Sequence, residues 1–374
     1  MTKTAVICSE ELWQRGHGES HPLKPERLQR AYELLIACDA FDGQRSRLIP
    51  PRPATIEELL LFHTEEYVNA VLSLSRGERE YIPSRYNFGP GDNPIFEGMY
   101  ETAALKVGAA LAAAESVTTG EVDVAFSLAG GMHHARANYA SGFCIFNDIA
   151  VIIHTLLRQG LKVAYVDIDV HHGDGVQEAF YDSDRVLTIS IHESGYFIFP
   201  GTGFVRETGE GVGRGFAVNV PLAPYTDDEV YVWAFEQVVP PLLEWFKPDI
   251  VVSQLGIDTH YLDPLAHLTL TTQGYTEVVR MIKELAPRWI ALGGGGYEIG
   301  VIPRAWALAY GIMSDREFPD ELPPAYGEKY GPGTLHDQHK PHVDARTRDV
   351  ARRHASLAIS ELREKIAGLR GQGL

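Results

Sequence analysis

The stretch KVAYVDIDVHHGDGVQ, residues 162–177, places two aspartates inside an otherwise apolar run, then two histidines, a third aspartate and two glycines. Near-continuous hydrophobic runs of this kind form strands buried on both faces of a parallel sheet. A carboxylate inside such a strand is costly unless it is paired or bound to a metal. Residues two apart share a face, so Asp167, Asp169 and His171 are expected to project together as the strand ends. Asp169 and His171 can then bind one cation, with Asp167 close behind. Gly173 and Gly175 break the strand and bring Asp174 into reach. A polar turn that caps the next helix would explain a lone DxD or HH pair. Asp167, Asp169, His171 and Asp174, four carboxylate or imidazole groups within eight residues, point instead to a site.

Similar apolar, β-branched runs recur outward from this segment, at 4–8, 122–128, 185–192, 249–256 and 288–295. Helical patterns lie between them, most clearly at 94–118, 147–158, 227–246, 272–286 and 300–314. The alternation predicts one three-layer α/β unit spanning 1–374, with its core in about 1–315. A Pro/Gly-rich stretch, 316–345, is expected to wrap the surface, and 346–368 to form a charged amphipathic helix on the outside. In open α/β sheets ligands sit beyond the carboxyl ends of the strands, and the unusual residues of this chain collect there.

Three further segments carry chemistry. SQLGIDTH (253–260) ends a buried strand on a carboxylate, Asp258. With Asp169 and His171 it makes an Asp/His/Asp set suited to zinc with one position open for water, although carboxylates also admit iron(II) or cobalt. LAGGMHHARANYASGFCIFND (128–148) sets His133 and His134 side by side. Adjacent histidines diverge on most backbones, so both can line a pocket, each oriented by a carboxylate; Asp167 and Asp174 are the available partners. ALGGGGYEIG (291–300) lets the backbone approach closely at four glycines, and Tyr297 can donate its hydroxyl to a developing oxyanion. No Lys-Ser/Thr follows the glycines, so a phosphate loop is not expected. The tail TLHDQHKPHVDA, with His336, His339 and His342, reads as a solvated loop despite its spacing.

Composition bounds the function. The chain is 45% hydrophobic with a formal net charge of −17 and a pI near 5.3, which disfavours non-specific binding to phosphate backbones, so no direct nucleic-acid partner is expected. Cys8, Cys38 and Cys144 form no CxxC pair, which argues against a disulfide framework or a cysteine zinc site. The N-terminal apolar run is too short for a signal peptide, and no stretch approaches the ~20 apolar residues of a membrane span. A cytoplasmic location and no membrane partner are the expectations.

Taken in order, HPLKPERL, RPATIEELLLFHTEEYV, GGMHHA, SGFCIFND, VDIDVHHGDGVQEAF, SIH, FPGTG, NVPL, QLGIDT, DP and GGGGY resemble the histone deacetylase superfamily. The pattern is most similar to its class I branch and to bacterial deacetylases of the acetoin-utilization type. The resemblance covers roughly residues 1–315. It implies an arginase/deacetylase-like fold with a central, mostly parallel eight-stranded sheet. It also implies zinc on Asp169, His171 and Asp258, a general base at His134 paired with Asp174, and an electrostatic partner at His133 paired with Asp167. Tyr297 corresponds to the residue that polarises the acyl carbonyl. Gly142, Phe143, Phe199 and Leu265 correspond to the walls of a narrow tunnel, Asp92 to a rim aspartate, Arg27 to the arginine of an internal channel, and Gly295 to a further substrate-site position. Two structural potassium ions are implied, one at Asp167, Asp169, His171, Ser190 and Ile191, the other at Phe180, Ser183, Val186 and Phe216. Asn93 and Phe216 depart from the class I pattern, which commonly has cysteine and tyrosine there.

The implied activity is metal-dependent hydrolysis of acetyl, or another short acyl group, from lysine side chains of a protein or peptide. Acetylated small amines such as polyamines are the nearest alternative substrates. A binuclear manganese ureohydrolase would need more Asp/His ligands, and a silent acetyl-lysine reader would be expected to lack His134 or Tyr297.

Overall fold

The computed structural model describes residues 2–370, with the side chains of 367–370 left aside; Met1 and 371–374, part of the expected 1–374 unit, lie outside the described residues. Eight strands form one sheet: β1 (Thr4–Ile7), β2 (Ser46–Ile49), β3 (Val124–Ser127), β4 (Val163–Asp167), β5 (Val186–Glu193), β6 (Ala217–Leu222), β7 (Ile250–Gln254) and β8 (Trp289–Leu292). Their order is β2-β1-β3-β8-β7-β4-β5-β6, and every pairing is parallel. The expected mostly parallel sheet is thus wholly parallel among the described residues.

Helices cover both faces: α1 (Glu26–Ala37), α2 (Ile56–Leu59), α3 (Glu65–Ser75), α4 (Met99–Thr118), α5 (Asp148–Arg158), α6 (Asp174–Ala179), α7 (Asp228–Phe246), α8 (Thr272–Leu285), α9 (Ile302–Met313), α10 (Pro324–Tyr330) and α11 (Ala345–Arg370). Two apolar clusters result, one on each side of the sheet. One gathers Phe126, Val166 and Ile189 under α1, α7, α8 and α9. The other gathers Ala125, Tyr165 and Ile290 under α3, α4 and α5. Strands buried on both faces explain why their sequences are apolar throughout rather than alternating. Local chemistry sets the helix starts: the side chain of Asn147 accepts from the Ala150 amide at 2.9 Å to open α5, and that of Asp227 from the Val230 amide at 3.3 Å to open α7.

β2 and β6 escaped the reading of apolar runs. β2 is short and only half-buried at the sheet edge. β6, AVNVPL, carries an asparagine and a proline, and sits at the opposite edge, where proline is tolerated. α11 packs on α7 and β6 and so covers that edge. The 316–345 stretch holds one short helix, α10. Cys8, Cys38 and Cys144 are all free, and among the described residues no helix is long and apolar enough to cross a membrane.

Candidate metal and catalytic site

The strand that begins at Val163 ends sooner than its hydropathy predicts. β4 stops at Asp167, and Asp169 and His171 follow in a turn. The cause is local: the Asp167 carboxylate accepts the Asp169 amide at 3.1 Å, and the Asp169 carboxylate accepts the His171 amide at 3.0 Å. Side chains that capture their own backbone two residues on replace the strand ladder with a tight turn. The turn brings Asp169 and His171 against Asp258, just past the end of β7. His171 Nδ1 lies 3.1 Å from Asp169 Oδ1 and 3.1 Å from Asp258 Oδ2, and the ligand atoms of the three residues all lie within 4.8 Å of one another. Asp167 stands behind them and bonds His133, the partner expected for it.

All three side chains of this set are buried. Burial, then the charge of Asp169, pushes the Asp258 carboxyl up to about 8. Burial alone would lower His171, but its bonds to Asp169 and Asp258 outweigh that and raise it to about 10. Both shifts report a negative potential that a cation would relieve. The surroundings leave room only for such a set: a Cβ on Gly295 would overlap the carboxylates of Asp258 and Asp169, and one on Gly256 would overlap Asp169. The remaining lone pairs are held in place. Asp169 Oδ2 accepts from Gln254 Nε2 at 2.5 Å and from the Gly295 amide at 2.8 Å, while Asp258 Oδ1 accepts from the Val170 amide at 2.9 Å. Two hard carboxylates and one imidazole, oriented by outer hydrogen bonds, can hold a divalent metal ion.

The two histidines meet at their tips, with Nε2 atoms 3.0 Å apart. His133 Nδ1 lies 2.8 Å from Asp167 Oδ2 and His134 Nδ1 lies 2.7 Å from Asp174 Oδ1, the pairing expected from sequence. The pairs differ in electrostatics. Burial opposes the charged form of both rings. For His133 the charges of Asp167 and Asp169 win and raise it to about 9. For His134 burial is reinforced by the neighbouring His133 charge, and it falls to about 4. Without a metal charge nearby, these values leave an imidazolium beside a neutral imidazole at neutral pH.

Tyr297 follows the glycine run, its amide bound to Asp263 Oδ2 at 2.8 Å and its ring 5.7 Å from that of Phe143. Burial and then the charges of Asp258 and Asp169 hold its phenol well above the usual range, so it stays a donor. Phe199 sets its ring 4.9 Å from His134, and a Cβ on Gly142 would strike both His134 and Phe199. Gly142 and Phe143 adopt positive φ, 49° and 69°, which turns the Phe143 ring inward. Leu265 is half-buried, its amide held by Asp263 at 3.0 Å. Asp92 is exposed, and its carbonyl accepts from His21, whose ring lies 4.5 Å from Phe143. Arg27 is buried behind this group, bonded to the Gly296 carbonyl at 3.2 Å and lining a cavity with His17, Met132, Phe143 and Ile145.

The potassium positions divide. Asp167, Asp169, His171, Ser190 and Ile191 sit together, with Ile191 O already accepting from Tyr231 at 3.2 Å. Phe180, Ser183, Val186 and Phe216 lie apart from the site, at the opposite end of β5; the Phe180 carbonyl accepts the Ser183 amide at 3.1 Å and the Phe216 carbonyl the Thr188 amide at 2.9 Å.

Several contributors were not singled out from sequence. Asp148 is fully buried and accepts the Gly131 and Met132 amides at 2.9 and 2.7 Å, which fixes the loop bearing both histidines. Tyr165 donates to Asp167 at 2.6 Å and Arg136 to Asp174 at 2.5 Å. Gln254 and Tyr165 were visible as polar groups within buried strands, which is a signal for an outer shell of a site. The histidines of the tail behave as expected of a solvated loop: His336 pairs with exposed Asp320, and among the described residues the only group with metal-ligand geometry is Asp169, His171 and Asp258.

The wholly parallel three-layer α/β fold is shared with solved homologues of histone deacetylases. A histone deacetylase homologue solved in complex with SAHA superposes with a TM-score of 0.86 at 34% identity, covering 94% of this chain and 99% of that one. A homologue from Aquifex aeolicus gives the same score and identity, with 94% and 100% covered. The histone deacetylase domain profile matches residues 21–313, and the chain belongs to the histone deacetylase family of hydrolases. It is 42% identical over 323 residues to acetoin utilization protein AcuC of Bacillus subtilis, covering 83% of this chain and 82% of that protein. It is 38% identical over 333 residues to histone deacetylase RPD3 of Saccharomyces cerevisiae, covering 88% and 76%.

Proposed function

We propose that this chain is a zinc-dependent deacetylase acting on acetyl-lysine side chains of proteins. The observation that carries the reading is the buried Asp169–His171–Asp258 set beside two coupled histidine–carboxylate pairs of opposite protonation. Asp169, His171 and Asp258 would hold the metal, which when bound supplies Lewis acidity, polarising the acyl carbonyl and acidifying water. The rest falls to the protein. His134, neutral and fixed by Asp174, takes a proton from the attacking water. His133, cationic and fixed by Asp167, stabilises developing negative charge and can protonate the leaving amine. The Tyr297 hydroxyl donates to the oxyanion. Phe143 and Phe199 present apolar faces suited to an aliphatic lysine arm, Gly142 keeps the gap between His134 and Phe199 open, and Leu265, Gly295 and Asp92 complete the walls and rim. Arg27 lines the cavity behind. Potassium at the two carbonyl-rich positions would be structural.

Protein substrates are favoured over acetylated small amines by the loop that carries Phe199. Tyr196 and Phe197 on it are 72% and 55% exposed, an apolar surface beside the site that a peptide flank can cover and a polyamine cannot. The test is a panel of acyl-lysine peptides and acetylpolyamines with zinc-loaded, chelated and Tyr297→Phe protein. Acetyl-lysine peptides should turn over fastest, chelation should abolish the reaction, and Tyr297→Phe should lose about 10²–10³ in rate. Faster turnover of acetylspermidine than of any peptide would overturn the substrate assignment.

A further inference from the structure

The loops that carry Asp258 and Tyr297 are tied to a segment beyond residue 313, where the family match ends. Asp337 lies in that segment. Its Oδ2 accepts the Thr272 amide at 2.8 Å and lies 2.8 Å from His260 Nε2, while its Oδ1 accepts from Arg304 at 3.0 Å. Its backbone is held as well: its amide donates to Thr272 Oγ1 at 2.9 Å, and its carbonyl accepts from Gln273 at 2.8 Å.

Two arms run from this carboxylate toward the reacting groups. Along the first, His260 has no solvent-exposed side chain and stands two residues after Asp258. Its Nδ1 accepts the Leu262 amide at 3.2 Å, so its Nε2 carries the proton toward Asp337. The His260 carbonyl accepts the Asp263 amide at 2.8 Å. Asp263 then holds the amides of Leu265 and Tyr297. Along the second, Arg304 bonds the Leu335 carbonyl at 3.1 Å and the Gly300 carbonyl at 3.0 Å, fixing the far end of the turn that begins at Tyr297. A one-ångström displacement of a positioned group costs about 10² in rate, so a clamp on both ends of these loops bears on turnover and not only on folding.

We propose that Asp337 is a positioning residue that acts through His260, Asp263 and Arg304 to hold the Tyr297 hydroxyl and the Leu265 wall in place, so that the 334–337 segment is a working part of the site. The proposal rests on the reading of Tyr297 as the oxyanion donor. Its test uses the full-length, zinc-loaded protein with Asp337→Asn and Asp337→Ala, each alone and combined with Tyr297→Phe, and Lys329→Ala as a control that cuts surface contacts with Glu33 and the Tyr330 ring beyond residue 313 but no contact of Asp337. Asp337→Asn should lower kcat about tenfold or more with KM changed less than about twofold, and should cost less than about twofold in the Tyr297→Phe background, because groups acting through one another are not additive. Lys329→Ala should leave both constants unchanged. A 3-fluorotyrosine placed at 297 supplies a readout independent of activity: its ¹⁹F resonance should shift or broaden in Asp337→Asn. Full additivity with Tyr297→Phe, or an unchanged ¹⁹F line, would overturn the positioning role. A shifted line in a protein with no deacetylase activity would keep the clamp and overturn the function it was assigned to serve.

Discussion

His133 and His134 touch, and that contact makes a signed prediction about pH. His134 must be neutral to accept a proton, so activity is lost as pH falls through its titration. His133 must be charged, so activity is lost as pH rises through its own, and without metal these limits stand at about 4 and about 9. A bound dication adds positive charge and moves both downward. The charge of His133 is itself a cause of the low value of His134. The two ring centroids are 4.0 Å apart. A unit charge at about 4 Å is worth about 4 kcal/mol at an effective dielectric of about 20, or about 3 pH units. Asp167 and Asp174, on the far sides of the rings, offset part of this. His133→Ala should therefore raise the acid limb of the kcat/KM profile by at least about 1 pH unit and remove the alkaline limb, with the metal unchanged between the two proteins. His134→Ala should instead remove the acid limb and lower kcat about 10²–10⁴-fold. The assay is release of acetate from an acetyl-lysine peptide between pH 4 and 10. An acid limb that stays in place in His133→Ala would refute the electrostatic coupling and, with it, the division of roles.

Gly295→Ala should weaken zinc binding at least about tenfold in a chelator competition and also lower the melting temperature of the apo-protein, since its Cβ would occupy the space of the buried Asp169 and Asp258 carboxylates; unchanged affinity would show that the ion binds elsewhere. Asp148→Ala should destabilise the fold by about 1–3 kcal/mol in urea and depress kcat, because it strands two buried amides beneath the histidine loop. Burial pushes the Asp148 carboxyl up to about 6, so the folded state binds its proton more tightly than the unfolded chain does; its contribution to stability is fullest at low pH and is lost as pH rises through about 6, a dependence that Asp148→Asn should abolish. Phe197→Ala should raise KM for acetyl-lysine peptides and leave that for a minimal acetyl-lysine amide unchanged; an equal effect on both would place Phe197 outside the peptide contact.

What could be read from the chain alone follows short-range rules. Apolar strand runs, helical periods between them and acidic residues where water should be absent are local facts, and they sufficed for an α/β fold and for Asp169, His171, Asp258, His133, His134 and Tyr297 as candidates. β2 and β6 eluded the same reasoning because edge strands need not be apolar on both faces. The turn after Asp167 did too, since it depends on carboxylates choosing backbone amides over the ladder. Other matters required residues far apart in sequence to be brought face to face: that the two histidines touch at their tips, that one is charged and its neighbour neutral, and that Asp337 grips His260. The sequence by itself determined which chemical groups stand at the strand ends, because burial period and residue type are written locally. Only the tertiary structure decided how those groups share protons and charge, because desolvation and Coulomb energy depend on distances between strands and loops that no local pattern encodes.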